Sequence, residues 1–184
     1  MPKVSPEHLE ARRRQILDAA RATFARHGYE GATVARLEDA TGLSRGAIFN
    51  YFPSKWDLFY ALAEEDHRRG AELWLAEGFG AVVRWLLEQS PDWIGVYLEI
   101  HRMLRTNPRL RERWLERNPE LDMLLLAKLE EQQRTGELRH DVPAEDIGRF
   151  LGLVMDGLVL HVGAGLTFDA DVLLRLVVGA IGPQ

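Results

Sequence analysis

The side chains best suited to chemistry lie between residues 33 and 59, in the run TVARLEDATGLSRGAIFNYFPSKWDLF. Arg45 and Asn50 carry the hydrogen-bonding groups that read base edges, and Lys55 carries the positive charge that a phosphate attracts. Gly46 and Ala47 are small enough to let a helix approach a surface closely. Together these residue types predict contact with nucleic acid and indicate no catalytic reaction.

Two short predicted helices and the turn between them must position these side chains. Thr33 is a good N-cap for the first helix, Gly42 can adopt the left-handed conformation that ends it, and Ser44 can cap the second. This is a helix-turn-helix, whose second helix can lie in the DNA major groove. The predicted contacts to double-stranded DNA are Thr33, Ser44, Arg45, Gly46, Ala47, Asn50, Tyr51 and Lys55.

The roles of these contacts are not all fixed by the sequence. Arg45 can bind guanine through O6 and N7, or it can bind phosphate alone, since about half or more of such bonds go to the backbone. Asn50 can contact a base or a phosphate. Tyr51 and Lys55 suit phosphate better, although Tyr51 can instead pack beneath the turn.

The charge of the chain divides unevenly along its length. The 184 residues carry 23 Lys and Arg against 28 Asp and Glu, for a net charge of −5. Residues 1–55 hold nine basic and six acidic side chains (+3), so residues 56–184 hold fourteen and twenty-two (−8). Only the first third therefore suits a polyanionic partner.

Several classes of protein are disfavoured by the composition and motifs. The chain has no cysteine, which excludes disulfides, thiolate metal sites and a cysteine nucleophile. A phosphate-binding glycine loop, a nucleophile elbow and an HExxH motif are all missing, so we do not expect an enzyme. No apolar run reaches the roughly 20 residues of a membrane span, and the N-terminus lacks a secretory signal. We therefore expect a cytoplasmic protein with no membrane partner.

The periodicity predicts an all-α fold of two domains. Residues 1–54 form the three-helix DNA-binding domain, and residues 55–184 form a helical domain for ligand binding and dimerisation. Helices over about 144–164 and 169–181 are the most apolar and are the predicted homodimer interface. Glycines 148, 152 and 157 would permit close helix approach there. The alternative is that both helices are simply internal.

Polar residues within the apolar helices of the second domain are the candidate effector ligands. Glu99, Arg102 and Arg105 share one face of a predicted helix, and an arginine pair can clamp a carboxylate. Asp156 lies within an apolar helix, where an unpaired charge is costly. The second hypothesis is a metal site, with His101 and His161 as ligands beside Glu99 and Asp156. The simpler interpretations are an ordinary i,i+3 ion pair for Glu99 and Arg102, and interface positions for Asp156 and His161.

The arrangement of motifs resembles the TetR family of transcriptional regulators. The motifs are ILDAA, F-x-x-x-G-Y-x-x-x-T and Y-F-x-x-K-x-x-L, all within residues 12–60. The resemblance implies a homodimer that reads a near-palindromic operator, with no required cofactor. It further implies release of the DNA, most commonly a repressor's response, when a small molecule binds the second domain.

Two segments, GATVARLEDATGLSRGAIFNYF and LEIHRMLRTNP, are similar to the aconitase-repressor branch of this family. That similarity implies control of a central-metabolism gene and a tricarboxylate effector such as citrate, with Mg²⁺ or another divalent metal as its companion. One alternative is a regulator of a transport or lipid operon that senses a metal or an apolar ligand. A more remote alternative is a helical interaction protein that binds no DNA.

Overall fold

The computed structural model describes residues 5–116 and 118–183, which contain ten α-helices and no strand. The helices are α1 (Pro6–Gly31), α2 (Val34–Thr41), α3 (Arg45–Tyr51), α4 (Lys55–Glu77), α5 (Phe79–Glu88), α6 (Pro91–Thr106), α7 (Pro108–Leu115), α8 (Pro119–Arg134), α9 (Ala144–Gly163) and α10 (Ala170–Ile181). The predicted all-α class is confirmed, and the helices predicted over about 144–164 and 169–181 are observed as α9 and α10, with each end within one residue of its prediction.

The first three helices form the predicted helix-turn-helix unit around a small core. Phe24 of α1, Leu37 of α2 and Ile48 of α3 are fully or almost fully buried, and each helix thereby contributes an apolar face to the others. The turn forms as its residues predict. Gly42 ends α2 with a φ of 67°, in the left-handed region, and the Ser44 hydroxyl accepts the Ala47 N–H at the start of α3.

Gly28 introduces a break near the end of α1. Its φ of 69° and ψ of 172° are accessible almost only to glycine, and they redirect the chain just before Gly31. The outer side of this break faces Glu99 of α6. A Cβ built on Gly28 would lie 2.5 Å from the Glu99 Oε1 atom, so a side chain there would have to displace the Glu99 carboxylate.

Helices α4 to α10 belong to the predicted second domain, residues 55–184, and α6 is their central element. α6 packs against α1 on one side and against α9 on the other. The α6–α9 contact is a backbone contact, because a Cβ on Gly163 would lie only 3.1 Å from the Cα and N atoms of Gly95. In the described part of the chain, no helix is both long and apolar enough to cross a membrane.

Candidate DNA-reading surface and ligand cavity

The polar side chains of the helix-turn-helix lie mostly on its outer surface. Thr33, Ser44, Arg45, Gly46 and Asn50 are exposed, and Ala47 is half-buried. A Cβ on Gly46 would have no neighbour within 4 Å, so this part of α3 is open to an approaching surface. We call the exposed face of α3 together with Thr33 and Ser44 the reading surface.

Two predicted phosphate contacts are engaged by the protein itself. Tyr51 is half-buried and packs against the core. The Lys55 ammonium donates to the Tyr29 carbonyl over 2.7 Å and lies 4.5 Å from the centre of the Tyr29 ring. Burial lowers the pKa of Lys55 below its ordinary value, while Glu30 and Glu99 oppose that change. In this arrangement Lys55 binds the end of α1, and its contact with phosphate stays a prediction.

Two residues near the reading surface were missed by the sequence analysis. The Arg45 guanidinium lies 5.8 Å from the centre of the Phe49 ring, one helical turn away, which limits where the guanidinium can point. Glu38 of α2 accepts the Arg45 backbone N–H over 2.6 Å and so tethers the start of α3. The i,i+4 spacing of Arg45 and Phe49 was visible in the sequence, whereas the Glu38 contact depends on the turn geometry.

A cavity of about 530 Å³ lies inside the second domain, between α4, α5, α6, α7, α8 and α9. Its wall is mainly apolar and aromatic, with Trp74, Trp85, Tyr97 and Trp114 among its rings. Acidic and histidine side chains also reach it. They are Asp66, His67, His101, Asp122, Glu145 and Asp156. The size and the largely apolar lining are those of a small-molecule site.

The predicted ligand residues separate into two groups. Asp156, a predicted effector ligand, and His101, a predicted metal ligand, both line this cavity, and their roles there stay predictions. Glu99 and Arg102 instead face α1, where a Glu99 oxygen lies 3.5 Å from the Glu30 backbone N–H and Arg102 lies 4.0 Å from the Glu30 carboxylate. Arg105 is exposed and outside the lining. The predicted arginine clamp is therefore not assembled in the cavity, because this face of α6 packs on α1.

The predicted metal ligands are not brought together. Within residues 5–116 and 118–183, no three His, Asp or Glu side chains form a group able to hold a metal ion. The His101 Nδ1 atom is 2.7 Å from the Tyr97 carbonyl oxygen, within its own helix. His161 lies outside the cavity lining, and its ring meets Phe168 edge-on.

Asp66 of α4 also lies in the cavity wall, although its sequence context did not point to it, and it makes four side-chain hydrogen bonds. Its Oδ1 accepts Arg21 Nη2 of α1 over 2.7 Å, and its Oδ2 accepts Arg21 Nη1 over 3.2 Å. Oδ2 also accepts Trp93 Nε1 and the Tyr97 hydroxyl of α6, each over 2.8 Å. One carboxylate therefore joins three helices, two of them in the second domain and one in the DNA-binding domain.

Apolar side chains remain exposed on α9 and α10. The most exposed are Leu153 (65%), Leu160 (53%), Leu176 (67%) and Val178 (64%). A concentration of exposed apolar residues on two neighbouring elements is typical of a protein interface.

Comparisons with known proteins match both domains. A family model described as "Bacterial regulatory proteins, tetR family" matches residues 16–62. A second, described as "BetI-type transcriptional repressor, C-terminal", matches residues 75–181. The first match spans the helix-turn-helix and the second spans most of the helices that enclose the cavity.

Relatives extend this similarity over nearly the whole chain. The HTH-type transcriptional repressor AcnR of Corynebacterium diphtheriae is 44% identical over 178 residues, covering 96% of this chain and 93% of that protein. The HTH-type transcriptional repressor Rv1474c of Mycobacterium tuberculosis is 47% identical over 167 residues, covering 90% and 89%. These relatives are transcriptional repressors and not enzymes.

Among solved structures, Salmonella enterica GusR shares the fold. Its TM-score is 0.75 at 23% identity, and the match covers 97% of this chain and 98% of that one. The structural likeness supports the fold, and the sequence matches identify the family. The predicted family is thus confirmed, and the chain belongs to the TetR family of bacterial transcriptional regulators.

Proposed function

We propose that this chain is a repressor that binds a near-palindromic operator as a homodimer in the cytoplasm and leaves the DNA when a small molecule fills the cavity. The reading surface carries the proposal. Arg45 and Asn50 are exposed on a capped helix, with open space around Gly46, as base reading in the major groove requires. Residues 1–54 are the reading domain, and residues 55–184 bind the effector and the partner subunit.

The proposed dimer forms through α9 and α10. Their exposed apolar residues would be buried if the same two helices of a second copy packed on them about a two-fold axis. The result is a four-helix seam. Two reading surfaces related by a two-fold axis match the two half-sites of a near-palindrome.

The relatives named AcnR support the resemblance to the aconitase-repressor branch and, with it, the predicted control of a central-metabolism gene. For the effector, the aromatic and aliphatic lining supports a molecule with an apolar or aromatic body. A tricarboxylate, alone or with a divalent metal such as Mg²⁺, stays a prediction, since Arg102 and Arg105 lie outside the lining. Thermal-shift measurements with citrate, citrate plus Mg²⁺ and neutral aromatic compounds separate these classes, because a ligand of the folded state raises Tm.

The test of DNA reading begins with selection of bound duplexes from a random pool, which should yield two related half-sites. We then expect Arg45→Ala to weaken binding to the selected operator by about 1–3 kcal/mol and to reduce its preference over scrambled DNA. The matched control is Arg111→Ala, which removes the same charge from an exposed site on α7. Selection of unrelated sequences, or equal operator affinity for Arg45→Ala and the unaltered chain, would contradict the proposal.

A further inference from the structure

Asp66 belongs both to the wall of the cavity and to the junction with the DNA-binding domain. Its carboxylate lines the cavity beside Tyr97. The same carboxylate holds Arg21 of α1 through two hydrogen bonds, and only 17% of the Asp66 side chain is exposed. Arg21 and Trp93 line a separate groove on the other side of this contact. The cluster of Arg21, Asp66, Trp93 and Tyr97, which we call the partition, therefore separates the cavity from the surface of α1.

The partition is held mainly by hydrogen bonds to a single charge. The Asp66 Oδ2 atom accepts three donors, from Arg21, Trp93 and Tyr97. The Arg21 guanidinium also lies 4.4 Å from the centre of the Trp93 ring. Burial acts to lower the pKa of Arg21, but the hydrogen bond and charge of Asp66 more than offset it, so the pKa is raised. Arg21 is thus held as a cation whose position follows that of Asp66.

This geometry gives cavity occupancy a direct effect on α1. A molecule that displaces the Tyr97 side chain, or takes its hydroxyl as a hydrogen-bond partner, would alter one of the three bonds to Oδ2. The carboxylate then has to re-form its remaining bonds, and Arg21 is the partner that belongs to the DNA-binding domain. Coupling between two sites needs such an element whose arrangement depends on both of them.

We infer that Asp66 is the positioning residue through which the occupied cavity displaces α1 and lowers the affinity of the reading surface for DNA. The inference rests on the proposed function, namely release of operator by a cavity ligand. Glu65 is the natural contrast. It also joins α4 to α1, with its carboxylate 3.2 Å from Arg14 Nη1, yet it does not line the cavity.

The experiment uses a side chain as the occupant of the cavity. Leu125 lines the cavity from α8, which contributes nothing to the partition and lies outside the proposed dimer helices. Leu125→Trp adds bulk inside a space of about 530 Å³. Operator affinity is measured for the unaltered chain, Leu125→Trp, Asp66→Asn and the double variant, with Glu65→Gln and its double variant as the matched control.

We expect Leu125→Trp to weaken operator binding about tenfold in the otherwise unaltered chain and in Glu65→Gln. In Asp66→Asn the same substitution should change operator affinity by less than about twofold, because the carboxylate that connects the cavity wall to Arg21 is already missing. A purely structural role for Asp66 would lower Tm without removing this dependence. If Asp66→Asn does not fold, Tyr97→Phe removes a single bond to the carboxylate and should shrink the Leu125→Trp effect by itself.

Two outcomes would overturn the inference, and they differ. An equal loss of affinity in all three backgrounds would leave ligand-driven release intact but remove Asp66 as its route. No loss in any background, with Leu125→Trp folded and dimeric, would remove ligand-driven release itself and the inference with it.

Discussion

The reading surface and the partition contain similar polar side chains, but these side chains are exposed in the first region and bonded to one another in the second. On the reading surface, Arg45 and Asn50 are exposed, and the bonds that shape α3 come from residues within a few positions, such as Ser44. In the partition, Asp66 is mostly shielded, and its partners lie 27 to 45 positions away along the chain. Substitutions in the first region should therefore disturb the fold less than substitutions in the second.

The difference assigns separate tasks to the two regions. A surface that leaves its donors solvated keeps them available for a base or a phosphate. A cluster that satisfies its donors internally has no capacity left for DNA, but it transmits displacement because each bond depends on the others. Substitutions in the two regions should accordingly affect different measurements.

The largest expected difference in stability is between two glycines, Gly28 where α1 meets α6 and Gly46 on the reading surface. Gly28→Ala should lower the free energy of unfolding by about 1–3 kcal/mol, because φ is positive there and few residues other than glycine adopt this conformation, while the Glu99 carboxylate can move away from the new methyl. Gly46→Ala on α3 should leave stability unchanged or slightly higher, since its methyl has no neighbour within 4 Å. Urea unfolding of both variants tests this, and similar losses at the two positions would remove the contrast.

Tyr29 extends the comparison to alkaline pH. Burial, with the charges of Glu30 and Asp57, raises the pKa of this phenol to about 12 from an unfolded value of 10.0. Its contribution is complete below pH 10 and is lost as the pH rises towards 12, by up to roughly 2–3 kcal/mol. The free energy of unfolding should thus fall more steeply over this interval for the unaltered chain than for Tyr29→Phe. Parallel pH profiles would disprove the assignment to Tyr29.

The smallest expected loss of stability comes from the N-cap of α3 on the reading surface. Ser44→Ala should lower the free energy of unfolding by about 1 kcal/mol or less, because it removes a single long cap bond to Ala47. Ser54→Ala should be more harmful, since that hydroxyl accepts the Asp57 N–H and donates to the Asp57 carboxylate at the start of α4. Thermal unfolding of the pair checks the order, and the reverse order would show that α3 depends on more than its local caps.

These regions also differ in how far the sequence predicted them. Gly42 and Ser44 predicted a turn and a cap that the structure confirms, because each acts on backbone within four residues of itself. The helices and the all-α class followed from the same local signals. Lys55 shows the limit even here, since its bond to the Tyr29 carbonyl depends on how α4 packs against α1.

The residues of the cavity wall were predicted much less well from the sequence. Glu99 and Arg102 lie on one face of α6 as expected, but nothing in their spacing shows that α1 covers this face. Asp66 stands among other charged residues on α4 and looks like a solvated position. Its importance appears only when Arg21, Trp93 and Tyr97 converge on it through tertiary packing.

The backbone contact between Gly95 and Gly163 has a consequence for operator choice. Because no side chain lies between them, α6 and α9 are in direct backbone contact at this point. Sliding or separating the two helices would break that close van der Waals contact, so we expect them to move together as one rigid unit. In the proposed dimer, α6 of this unit packs against α1 and α9 belongs to the four-helix seam. A side chain added at Gly95 or Gly163 is therefore expected to shift α1 relative to the seam, and so to change the number of base pairs that the two reading helices tolerate between half-sites.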